Sequence, residues 1–116
     1  MLTYTGIRGR RTLKARAVGF LCEAVAYELP TGRTFWLSTY QATTPRLALR
    51  WLHHRARQIG EQLDPPQARH VGTWLADRPE RERALDQLAA GGLYSHTLHE
   101  PPIHYLLTAR PTGDQT

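Results

Sequence analysis

The chain has 116 residues, of which 41% are hydrophobic and 22% charged, and its formal net charge is +5. That length suits one domain with a real core, and the composition is that of a globular protein, which excludes wholesale disorder. A single cysteine, Cys22, excludes an internal disulfide. No stretch reads as a secretory leader or reaches the ~20 apolar residues of a membrane span, so a cytoplasmic protein with no membrane partner is expected.

The charge is uneven. Residues 1–60 carry ten cations against two carboxylates, whereas residues 61–116 carry five against eight. Such asymmetry hints at a polyanionic partner. Because Arg occurs fourteen times and Lys once, an isolated arginine says little, and only the placement of arginines informs.

Thr, Tyr, Val, Phe and Trp are frequent over residues 3–40, with glycines between them, and predict strands near 3–9, 12–19, 23–29 and 33–40. Cys22, beside Phe20 and Leu21, reads as a buried small hydrophobe. The stretch Ala24–Tyr40 reads as a hairpin. Leu29-Pro30-Thr31-Gly32 carries Pro second and Gly fourth, the chemistry of a type I turn with a bulge. Alternation on its arms assigns Val25, Tyr27, Leu29, Phe35 and Leu37 to the packed side.

Thr44-Pro45 is an N-cap followed by a natural first helical residue, and predicts a helix from 45 to about 62. At 100° per residue, Ala48, Leu52, Ala56, Ile59 and Leu63 form a core stripe about 80° wide. Arg46, Arg50, His53 and Arg57, spaced i, i+4, i+7, i+11, stack along the opposite face, which reads as solvated. Asp64-Pro65-Pro66 breaks this helix. A shorter one is expected from Pro66 to Ala76, and a third, capped by Asp77, runs to Gly91-Gly92. A last hairpin, 93–100 with 103–109, either joins the sheet or covers its edge.

The expected fold is therefore α+β: an N-terminal antiparallel sheet packed on a long amphipathic helix, two short helices, and a C-terminal β-hairpin. Residues 1–110 form a single domain with a frayed tail at 111–116. Leu13, Val25, Tyr27, Leu29, Phe35, Leu37, Leu52, Ile59, Leu63, Trp74, Leu85, Leu88 and Leu106 are the core candidates.

No P-loop, G-x-G-x-x-G or G-x-S-x-G is present. An enzyme is left open, with the sequence leaning against one, and no cofactor is expected. A hairpin turning at 100–103 sets His99 opposite His104 and turns His96 to the other face. Two ligands fall short of the three or four a zinc site uses, so no metal is assigned.

The strongest constellation is basic. Arg8, Arg10, Lys14, Arg16 and Arg33 gather on the predicted strands with Trp36 and Tyr40 among them, and Arg46, Arg50 and Arg57 line the first helix. Cations neutralise phosphates and release counterions, while exposed aromatics stack on bases. These residues are the candidate nucleic-acid contacts. Tyr4-Thr5-Gly6-Ile7-Arg8, Thr31–Tyr40 and Thr44–Trp51 together resemble the DNA-binding domain of the ethylene-responsive-factor and integrase type, over residues 4–57. The resemblance implies a three-stranded sheet braced by a helix, with Arg8, Arg10, Arg33 and Trp36 reading duplex DNA. A regulatory or accessory protein binding double-stranded DNA through a basic sheet face is the expected function. The alternative is a protein-interaction or self-association module without catalytic activity. It would use the acidic C-terminal half or an apolar patch that includes Trp51 and Leu47.

Overall fold

The computed structural model describes residues 19–112. The strands expected at 3–9 and 12–19 lie outside that range except for Gly19, which is in no strand, and so do Leu13, Arg8, Arg10, Lys14 and Arg16. The described elements are β1 (Phe20–Glu28), β2 (Arg33–Ala42), α1 (Pro45–Gly60), α2 (Pro65–Ala76), α3 (Arg78–Ala89), β3 (Tyr94–Glu100) and β4 (Ile103–Pro111). The described residues form an α+β fold with one four-stranded sheet in the order β2-β1-β4-β3, all pairs antiparallel.

The two ends of the described chain meet in the middle of that sheet. Phe20 pairs with Pro111 and Glu28 with Ile103, so β1 and β4 are the central strands. The tail expected from 111 is thus ordered at its start, where Pro111 ends β4 and the Thr112 N–H donates to Gly19 O at 2.9 Å.

Period two on β1 is clear, but its buried phase is the reverse of the expectation. Phe20, Cys22, Ala24 and Ala26 face the helices and are buried, while Val25 and Tyr27 lie half-buried on the far side. The cause is the closeness of α1, which sets Ala48, Leu52 and Ala56, all fully buried, over these strands. Cys22, Ala24 and Ala26 are small enough to lie beneath that helix at normal packing density. The same reversal moves the core position on β4 from Leu106 to Leu107 and Ala109. Burial also pushes the Cys22 thiol up to about 11, which keeps it an inert packing group.

On β2 the alternation breaks. Ser38 lies opposite Ala24 and Trp36 opposite Val25, which leaves Leu37 as an extra residue in a bulge. Tyr40, Ser38 and Phe35 therefore share the helix side, and Trp36 turns to the far side. Leu29, Phe35 and Leu37, expected in the core, are exposed. The connecting turn is also wider than a type I turn over 29–32. It closes by a bond from the Gly32 N–H to Glu28 O at 2.7 Å, with Gly32 at φ 76°, a conformation that glycine adopts without strain.

Sequence chemistry accounts for the helix starts. The Thr44 side chain accepts from the Leu47 N–H at 3.1 Å, and the Asp77 side chain accepts from the Glu80 N–H at 3.0 Å. α1 ends at Gly60, where an added Cβ would come within 3.2 Å of Val71 Cγ1, so the small residue lets α2 pack closely. Leu52, Ile59, Trp74 and Leu88 are buried, and Leu63 and Leu85 pack against them half-buried. No helix among the described residues is long and apolar enough to cross a membrane.

Candidate functional site

The arginine stripe of α1 lines a groove of about 580 Å³. Arg46, Arg50, Arg57, His53 and His54 come from α1, Tyr40 from the end of β2, and Arg81 and Leu85 from α3. This is the size of a pocket for a small molecule or one segment of a larger ligand. No carboxylate lines it. Among the described residues, ion pairs join Arg33 to Glu28 at 4.0 Å and Arg83 to Glu80 at 2.8 Å, and none involves a groove arginine.

Two groups in the groove are held in place. Arg81 Nη2 donates to Leu75 O at 3.0 Å, in the last turn of α2. That is the negative end of the helix dipole, which favours a guanidinium there. Tyr40 and Trp51 lie nearly parallel, at 7° with centroids 6.1 Å apart. Tyr40 remains 41% exposed, while Trp51 is half-buried against the core.

His53 is where the solvated-face expectation fails. It is half-buried, with its ring edge-on to Trp74 at 4.6 Å, because α2 packs against that side of α1. Burial, then repulsion from Arg81, Arg57 and His96, pulls its pKa down to about 4, so it is a neutral imidazole at pH 7. Behind it Trp74 stacks on His96 at 4.0 Å and 5°. The Trp74 indole N–H donates to the Tyr94 hydroxyl at 3.1 Å, and that hydroxyl donates to Glu80 Oε2 at 2.6 Å. Arg83 closes the chain on Glu80 at 2.9 and 2.8 Å. Hydrogen bonds from Arg83 and then Tyr94 hold the Glu80 carboxyl at about 2, while burial and Glu80 push the Tyr94 phenol up to about 12.

The remaining candidates are dispersed. Arg33 begins β2 opposite Glu28, on the helix side, with its guanidinium 5.3 Å from the Phe35 ring. Trp36, 64% exposed, is on the far side, so the two do not share a sheet face. His99 and His104 meet across β3 and β4 with Nδ1 atoms 2.8 Å apart, and Tyr27 stacks on His104 at 5.3 Å. No group of three or more His, Cys, Asp or Glu among the described residues could hold a metal ion.

The i, i+4, i+11 spacing of Arg46, Arg50 and Arg57 puts them on one helix face, and all three line the groove. Tyr40, an aromatic candidate on the second strand, reaches the groove from the end of β2, and Arg81, which the sequence does not single out, reaches it from α3. No family model, curated protein or solved structure matches this chain.

Proposed function

We propose that this protein binds nucleic acid, and that the groove between α1, α3 and the end of β2 is the contact surface. The observation that carries the reading is the convergence of Arg46, Arg50, Arg57 and Arg81 on one concavity that no carboxylate lines. Guanidinium groups gain most from phosphate where no internal anion competes, and counterion release then drives binding.

The test is fluorescence anisotropy with a labelled oligonucleotide across a salt series. Affinity is expected to fall steeply with salt. Arg50→Glu and Arg57→Glu should each weaken binding about ten-fold or more and flatten the salt slope by about one unit for every phosphate no longer neutralised. Binding that ignores both salt and these substitutions would overturn the proposal.

A second reading places duplex DNA on the sheet, as the resemblance over residues 4–57 implies. It is favoured by the exposure of Trp36 on the side away from the helices. In that case Trp36→Ala weakens duplex binding and Arg50→Glu does not.

A further inference from the structure

We infer that the groove takes a single strand, with a base resting on the Tyr40–Trp51 pair while the arginines hold the neighbouring phosphates. The inference rests on the nucleic-acid reading above and goes further by naming the form of the ligand.

Arginines alone suit any polyanion. The aromatic pair is the additional fact. Tyr40 and Trp51 line the same groove as Arg46 and Arg50, their planes agree within 7°, and Tyr40 keeps two-fifths of its surface in solvent. A duplex hides its base faces in its own stack and can offer such a groove little beyond phosphate. A single strand offers both a charged backbone and free π-faces, and single-strand sites combine a cationic groove with stacking platforms. A cleft of about 580 Å³ is also closer to a nucleotide or two than to a rod with a fixed interior.

The position of the pair has a local cause. Tyr40 is on the helix side of β2 because the Leu37 bulge sets the phase of that strand's last residues. Four residues later the Thr44 cap starts α1, so Trp51 comes up, two turns into the helix, beside that edge. Trp51 is partly core, but Tyr40 is not needed to seal the core, since 41% of it is exposed. Its cationic neighbours make stacking on a base, with Arg50 and Arg46 nearby, the interaction that uses the whole surface.

The experiment compares one oligonucleotide of about 12 nucleotides, within the ~4–16 nucleotide footprint of single-strand binders, with the same strand annealed to its complement. It is run with full-length protein at one moderate salt concentration. The strand alone is expected to bind about ten-fold tighter than the duplex. Tyr40→Ala should weaken the strand by about five- to ten-fold and leave the duplex unchanged, as stacking on one ring predicts. In a Trp36→Phe background, adding the strand should quench tryptophan fluorescence through Trp51, because Trp74 is buried. Equal binding of strand and duplex, both sensitive to Arg50→Glu and neither to Tyr40→Ala, would overturn this inference and leave a phosphate site intact. Failure of both forms to bind would overturn the nucleic-acid reading with it.

Discussion

The groove over α1 encloses about 580 Å³ and is lined by Arg46, Arg50, Arg57 and Arg81. A second cleft, of about 500 Å³ between α2, α3 and β3, is lined instead by Asp77, Glu80, His70, His96 and His99, with no arginine. A wall of packed rings, His53 edge-on to Trp74 and Trp74 stacked on His96, separates the two. In the second cleft the carboxylates are already committed. Asp77 caps α3, and Glu80 accepts from Tyr94 and Arg83. In the first, the cations have no carboxylate within an ion-pair distance among the described residues. Polar groups spent on one another hold a fold together, whereas polar groups left over are available to a ligand.

The wall is the most sensitive point of that arrangement. Trp74→Ala removes a buried indole and leaves the Tyr94 hydroxyl without its donor, so chemical denaturation should show a loss of about 3–5 kcal/mol. A loss under about 1 kcal/mol would mean that the wall does not hold the clefts apart.

Acid should attack the wall before it reaches the carboxylate network. Folding lowers the His53 pKa from 6.5 to about 4, so between those values the unfolded chain binds a proton that the folded chain refuses. The His53 contribution is therefore complete above about pH 6.5 and disappears as pH falls toward 4. Full burial would make it about 3 kcal/mol, and partial exposure brings it to about 2 kcal/mol. His96, also lowered by burial, acts in the same direction. Glu80 titrates later. Its contribution is present above 4.5 and is lost as pH falls toward about 2. Thermal melts should thus decline from pH 6.5 downward, and His53→Phe should flatten the first part of that decline. A melting temperature constant between pH 6.5 and 4.5 would refute the assignment.

Tyr94→Phe is a smaller change on the second-cleft side. It leaves the buried Trp74 N–H without an acceptor and takes one donor from Glu80, for an expected loss of about 1–2 kcal/mol. Oligonucleotide affinity should not move, because neither group lines the basic groove. A parallel loss of binding in this variant would show that the two clefts are coupled through the wall.

The contrast between the clefts was half legible in the sequence, for a reason tied to distance along the chain. The α1 stripe Arg46, Arg50, His53, Arg57 and its Thr44-Pro45 start are written within a few turns of helix, so spacing reveals them. Arg81 enters the groove through the packing of α3 on α1, which no local pattern encodes. On β1 residue size points to the wrong phase, since Val25 and Tyr27 are larger than the buried Ala24 and Ala26 beside them. The tight approach of α1 instead selects Cys22, Ala24 and Ala26, and the Leu37 bulge turns Ser38 and Tyr40 to the helix side, away from Trp36. His53 reads as solvent-facing on a helical wheel and becomes part of a wall only when α2 brings Trp74 against it.

Arg33 gives the smallest effect on stability and the sharpest contrast in function. Its guanidinium is 4.0 Å from Glu28 and 67% exposed, so solvent screens the pair and Arg33→Ala should change stability by no more than about 0.5 kcal/mol. The same substitution separates the two surfaces. If the α1 groove carries the contact, strand affinity in anisotropy is unchanged in Arg33→Ala and falls in Arg50→Glu. If the side of β2 that bears Arg33 carries it, the pattern reverses. Because Arg33 and Trp36 stand on opposite sides of β2, a sheet interface would use at most one of them at a time. Joint sensitivity to Arg33→Ala and Trp36→Ala would therefore require a ligand that wraps the edge of β2.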